Sequence, residues 1–191
     1  ASDIDEFLAE SWNKDSSKTV ADVLAGQIAV IGENLKIRRF AQIEENNGFI
    51  ASYIHMGGKI GVLVDVETDV VNPAIEEMAK NVAMQAAALK PMYTNRSEVD
   101  PEYIAKETEI ITITAKNEKP DANDKIIEGM VKGRLNKELK EICLLDQTYV
   151  KAEDGKQSVS AYVASVAKEN SANITIKGFV RFETGEGIEK K

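Results

Sequence analysis

Apolar side chains recur at helical spacing in two stretches at the amino end: Ile4, Phe7 and Leu8 within residues 4–12, and Val20, Val23, Leu24 and Ile28 within residues 20–31. The period puts each set on one face, which predicts two amphipathic helices. Thr19 or Ser17 is the cap candidate for the second helix. Gly32, in Ile31-Gly32-Glu33-Asn34, is its stop, because glycine accepts φ > 0. From Leu35 the pattern turns β-like in three runs, LKIRRFAQI, GFIASYIHM and KIGVLVDVE, divided by Glu44-Glu45-Asn46-Asn47-Gly48 and by Gly57-Gly58. Those runs predict a three-stranded antiparallel meander.

Beyond Asn72-Pro73, residues 74–89 are helical in period through Ile75, Met78, Ala79, Val82, Met84 and Ala86, and stop before Pro91. Two further segments, 101–116 through Ile104, Thr108, Ile111 and Ala115, and 124–139 through Ile127, Val131, Leu135 and Leu139, are separated by Lys119-Pro120-Asp121. They predict an antiparallel helical hairpin. The β-branched run 110–114 keeps a strand open as the rival reading there. A short extended piece at 148–150, a helix at 159–168 and a strand, ITIKGFVRFE, complete the chain. Antiparallel strands with segregated helices make the expected fold class α+β.

Composition changes this picture in one respect. The formal net charge of -8 over 191 residues sets the whole-molecule field against nucleic acid and anionic membranes, so protein partners are favoured. Nothing approaches the roughly 18 apolar residues of a membrane-spanning helix, and ASDIDEFLAESW has no basic-then-apolar targeting pattern. A cytoplasmic chain is expected. Cys143, the single cysteine, reads as a packed thiol.

Chemistry is missing from the pattern. The sequence holds no G-x-x-x-x-G-K-[ST], no G-x-G-x-x-G after a strand and no G-x-S-x-G. One histidine rules out a histidine-based metal cluster, and Glu44-Glu45 and Glu76-Glu77 read as solvated faces. No catalytic, cofactor-binding or metal-binding residue is nominated, and no enzyme is expected.

Six segments then matter by their order: I-G-E-N-L-K-I-R-R-F at 31–40, A-S-Y-I-H at 51–55, K-I-G-V-L-V at 59–64, A-A-L-K-P at 87–91, I-I-E-G-M-V-K-G-R-L at 126–135 and G-F-V-R-F-E-T-G-E-G-I-E-K at 178–190. In this order and spacing the chain resembles the bacterial elongation factor Ts family from about residue 20 onward. The resemblance implies two subdomains with small antiparallel sheets and an inserted antiparallel coiled coil. Their expected limits are 1–68 for the first subdomain, 69–97 with 146–191 for the second, and 98–145 for the coiled coil. It also implies a guanine nucleotide exchange factor that binds GDP-loaded or nucleotide-free elongation factor Tu, disturbs its magnesium and phosphate site and releases GDP without covalent chemistry or a cofactor.

Position by position, the resemblance places partner contacts at Ile31 and Gly32, at His55, and at Val150 and Lys151, where Lys151 replaces an apolar residue of some relatives. On the residues alone, Gly32 as a helix stop and Ile31 as a core residue remain open. The family's amino-terminal helical module and its Thr-Asp-Phe-Val-Ala segment, whose Asp and Phe form a wedge toward the magnesium site, are not matched; Thr68-Asp69-Val70-Val71 lacks the aromatic. A truncated form that binds but exchanges poorly is therefore expected. The alternatives carried beside it are a dimerising scaffold module, with a homodimer as partner, and an enzyme with an acidic cleft. Direct nucleic-acid and membrane partners are not expected.

Overall fold

A computed structural model describes residues 1–188; Glu189, Lys190 and Lys191, with the end of the 178–190 segment, lie outside the described residues. Contacts divide the chain after Gln42 into two units. In the first, Asp3 caps α1 (Ile4–Ala9), and Thr19 caps α2 (Val20–Ile31) through a reciprocal box with Asp22. The expected first helix reached residue 12. It ends at Ala9 because Glu10 turns to extended backbone and its carbonyl accepts from the Val20 amide at 2.9 Å. The intervening residues form an antiparallel hairpin, β1 (Ser11–Trp12) with β2 (Asp15–Thr19). The β2 sequence, DSSKT, carries no apolar period to announce it.

The strand expected over 35–43 does not form; residues 34–45 carry no regular element. Phe40 from this segment stacks on Phe7, with ring centroids 4.9 Å apart. Its ring is committed to α1.

In the second unit the sheet has the order β3 (Gly48–His55), β4 (Ile60–Thr68), β5 (Ile174–Glu183), antiparallel throughout. The carboxy-terminal strand, not residues 35–43, is the third member. The sheet thus crosses the subdomain limit expected at residue 68, joining 48–68 to the last strand. β4 alternates fully, with Ile60, Val62, Val64 and Val66 buried on one face. That face is covered by α3 (Pro73–Leu89) through Ile75, Met78, Ala79, Val82, Ala83 and Ala86, and by Val159 and Val163 of α6 (Val159–Glu169). The alanines bring the α3 backbone close to the sheet. Gly48 is required for a related reason: a Cβ there would lie 1.9 Å from the Val66 carbonyl oxygen.

The helical hairpin forms as α4 (Pro101–Glu118) and α5 (Asp124–Ile142). The Tyr103 hydroxyl donates to Glu138, and Arg134 pairs with Glu118 at 2.5 Å; these crossings set the helices antiparallel. Its seam buries Ala115, Ile127 and Val131, with Ile111 packed against them. The β-branched run is helical, and Thr108, Thr112 and Thr114 satisfy their hydroxyls by donating to the carbonyls four residues back, at 2.6, 2.6 and 2.9 Å. At the hairpin base, Met92 and Tyr93 amides donate to the Ile142 carbonyl, and the Leu144 amide donates to that of Tyr93. Cys143 is fully buried there, its thiol pushed up by burial, as a packed thiol should be.

Opposite Asp65 and Val66 the β4–β5 register shifts, and Lys177 is the extra residue of the bulge. Its ammonium meets Glu45 at 2.9 Å and Glu67 at 3.7 Å. The Lys177 hydrogen bond and the Asn47 amide hold the Glu45 carboxyl down at about 2, whereas burial and then Glu45 push the Asp65 carboxyl up. The signs oppose. Glu45 adds stability above its ordinary 4.5 that is lost as pH falls toward about 2; Asp65 favours the fold below its ordinary 3.8 and loses this as pH rises through its raised value. Urea midpoints followed across acid pH should therefore show a drop between 4.5 and 2 that Lys177→Met flattens. An unaltered slope in the variant would refute this assignment. A second expectation concerns the hairpin. Replacing residues 101–139 by a short Gly/Ser linker should leave a cooperatively melting body, because the base contacts at 92–94 and 142–145 are retained; loss of the melting transition would make the hairpin part of the core.

Candidate functional site

A helix end supplies the first exposed point. Gly32 ends α2 in the left-handed conformation, φ 77°, with its amide on the Ile28 carbonyl at 2.9 Å. Ile31 just before it is 53% exposed, and Val30 is 82% exposed. The core reading of Ile31 thus falls.

The second point is the tip of the β3–β4 hairpin. His55 is exposed, and its Nδ1 lies 2.7 Å from the Tyr53 hydroxyl, two residues back on the same strand face. Tyr53 is half-buried against the core, so the imidazole is oriented by a side chain that is itself held. The turn that follows uses φ 51° at Met56, 64° at Gly57 and 97° at Gly58. Strand alternation places Ile54, paired with Gly61, on the sheet face away from α3, and Tyr53 and His55, paired with Val62 and Ile60, on the face that α3 covers. Ile54 and Met56 are 66% and 61% exposed, and His55 is exposed although its pairing with Ile60 places it on the core face of the sheet. The tip therefore offers three adjacent exposed side chains, Ile54, His55 and Met56.

The third point depends on one buried amide. Gln85, on α3, is fully buried. Its Nε2 donates to the Thr148 carbonyl at 3.1 Å and to Gln147 Oε1 at 3.2 Å, while its Oε1 accepts from the Val150 amide at 2.9 Å. A strap with almost no regular structure is thereby held with its backbone groups paired, and Val150 is left 50% exposed on it. Beside it Lys151 donates to Asn81 Oδ1 at 2.8 Å, and Asn81 in turn donates to the Tyr162 hydroxyl at 2.9 Å. Tyr162 stacks on Tyr149 with centroids 4.1 Å apart, and burial pushes the Tyr149 hydroxyl up. Lys151 is thus a tethered cation rather than a waving one. Periodicity could not have found Gln85: it occupies a core position of an apolar face as a polar residue, and its partners lie more than sixty residues away.

Ile31 and Gly32 belong to the first unit; His55, Val150 and Lys151 belong to the second. The structure joins His55 to Tyr53, and both Val150 and Lys151 to α3. Nothing in these groups can hold a metal: among the described residues no group of three or more His, Cys, Asp or Glu is suitably arranged. No described helix is long and apolar enough to cross a membrane.

Comparison with known proteins bears on the same residues. The family model described as Elongation factor TS matches residues 1–186, so the similarity reaches further toward the amino end than the order of motifs indicated. An elongation factor Ts of Clostridioides difficile (strain 630) is 51% identical over 189 residues, which is 99% of this chain and 60% of that protein. One from Clostridium botulinum (strain Eklund 17B / Type B) is 47% identical over 191 residues, 100% of this chain and 61% of that protein. The chain spans about 60% of the length of these curated relatives.

Gln85→Leu tests the strap. It keeps the volume but strands the Thr148 carbonyl and Val150 amide, which should cost about 2–4 kcal/mol. Hydrogen exchange at the Val150 amide should rise more than exchange at the amides of β4. An unchanged Val150 exchange rate would show that the strap is held by other contacts.

Proposed function

The chain belongs to the elongation factor Ts family, and on that premise we propose that it docks on elongation factor Tu and takes part in guanine nucleotide exchange. One observation carries the proposal: at each place where the family resemblance puts a partner contact, an apolar or aromatic-type side chain stands exposed on constrained backbone. Ile31 precedes a left-handed helix stop, His55 is oriented by Tyr53, and Val150 is mounted on the Gln85-held strap. Exposed apolar groups on rigid supports lose little entropy on docking, which favours them as interface anchors.

The action is physical, not covalent. A partner that binds the nucleotide-free state of elongation factor Tu more tightly than its GDP state lowers GDP affinity, and by linkage GDP lowers the partner's affinity by the same factor. Docking through Ile31, Gly32, His55, Val150 and Lys151 supplies recognition; only contacts that differ between the two states supply the displacement. The Thr-Asp-Phe-Val-Ala wedge of the family is not in these 191 residues, so this stretch by itself binds but releases GDP poorly. The α4–α5 hairpin is read as the inserted coiled coil, and the cytoplasm as the place of action.

Two measurements decide this. His55→Ala and Val150→Asp should each weaken binding to GDP-loaded elongation factor Tu about tenfold or more while leaving the melting temperature nearly unchanged; full affinity in both variants would remove the proposed docking points. In fluorescent-GDP release at saturating concentration, the 191-residue chain should fall short of a longer form carrying the wedge segment by roughly 30- to 150-fold, the span of an allosteric coupling of about 2–3 kcal/mol. Equal rates would place the displacing contacts within these residues.

A further inference from the structure

A cleft of about 500 Å³ opens beside the strap, lined by Leu89 at the end of α3, by Lys137, Lys140 and Glu141 of α5, and by Gln147 and Thr148. Its floor is already satisfied: Gln147 donates to the Glu141 carbonyl and accepts from Gln85, and the Thr148 carbonyl accepts from Gln85. What remains available is a mixed surface. Leu89 is 46% exposed. Lys137 and Lys140 stand three apart on one helix face and make no ion pair among the described residues. Two free ammonium groups face one carboxylate, a local reversal of sign on a chain whose net charge is -8.

We propose that this cleft is a second docking surface for the same partner, receiving an extended segment that sets an apolar side chain against Leu89 and a carboxylate between Lys137 and Lys140. The inference rests on the proposed function, since it is the continuity with Val150 that selects the occupant. Thr148 lines the cleft and lies two residues, ~7 Å of extended chain, from Val150. A partner surface covering Val150 therefore reaches the cleft mouth. The free charges select an acidic segment, because a basic or neutral one would leave both ammonium groups covered and unpaired. The whole-chain charge of the same sign as such a segment opposes steering at long range. The two lysines thus act at contact, setting register and dissociation rate.

The test uses the 191-residue chain with GDP-loaded elongation factor Tu. Lys137→Glu combined with Lys140→Glu should weaken binding roughly tenfold or more, chiefly through faster dissociation, and should flatten the salt dependence of the affinity. Leu89→Ala should weaken it several-fold. A readout free of any folding effect comes from limited lysine acetylation followed by mass spectrometry: in the complex Lys137 and Lys140 should be protected while Lys125, on the far end of α5, stays reactive. The two readings separate cleanly. If Val150→Asp and His55→Ala weaken binding but the cleft variants do not, or the two lysines acetylate equally in free and bound chain, the cleft proposal is overturned and the docking points stand. If Val150→Asp and His55→Ala also leave binding intact, the docking reading falls, and with it the basis for the cleft.

Discussion

The structure of the second unit depends on β4 being hydrogen-bonded along both edges. Its partners come from opposite directions in the sequence, residues 48–55 on one side and 174–183 on the other. A strand so placed must find its side chains a dry face, and Ile60, Val62, Val64 and Val66 provide it. Covering that face takes α3, whose alanines set the distance, and α6, which crosses beside it. At about 25 cal/mol per Å² of apolar area removed from water, each of these valines contributes on the order of 1.5–3 kcal/mol. β3 is an edge strand of this sheet. At its far end His55, on the core face, and Ile54, on the opposite face, are both exposed.

Once α3 lies on the sheet, a single polar position on it becomes decisive for the surface. Gln85 faces the strap from within the core and satisfies three of its groups at 2.9–3.2 Å. Burying an amide without partners costs more than the net gain of pairing it, so the strap and the glutamine hold each other. The result is a rigid mount for Val150 and, through Asn81, for Lys151. The hairpin rises from the same region, anchored by the Tyr93 and Ile142 backbone bonds. Strap, helix end and hairpin root consequently border one cleft.

Much was legible from local pattern. The faces of α2, α3, α4 and α5, the stop at Gly32, the cap at Thr19, the start of α3 after Asn72-Pro73 and the last strand all follow from periods of 3.6 and 2 with their punctuating residues. The hairpin seam at Ile111, Ala115, Ile127 and Val131 was readable because a two-helix contact repeats every three or four residues. The order of six short segments carried the family.

Other features belong to tertiary structure alone. Residues 35–43 have strand-like composition, yet the outer edge of β3 is left unpaired and Phe40 finds its partner in Phe7 instead. Ile31 looked equally suited to core or surface, since an apolar period near a helix end does not say how far the covering layer extends. The polar hairpin β1–β2, the Glu45–Lys177 pair across the bulge and the Gln85 strap all join residues with no mutual signature in sequence. Sequence periodicity reports which side of an element is apolar. Which distant segment closes an edge, and which surface is left uncovered, is settled only when the elements compete for the same faces in three dimensions.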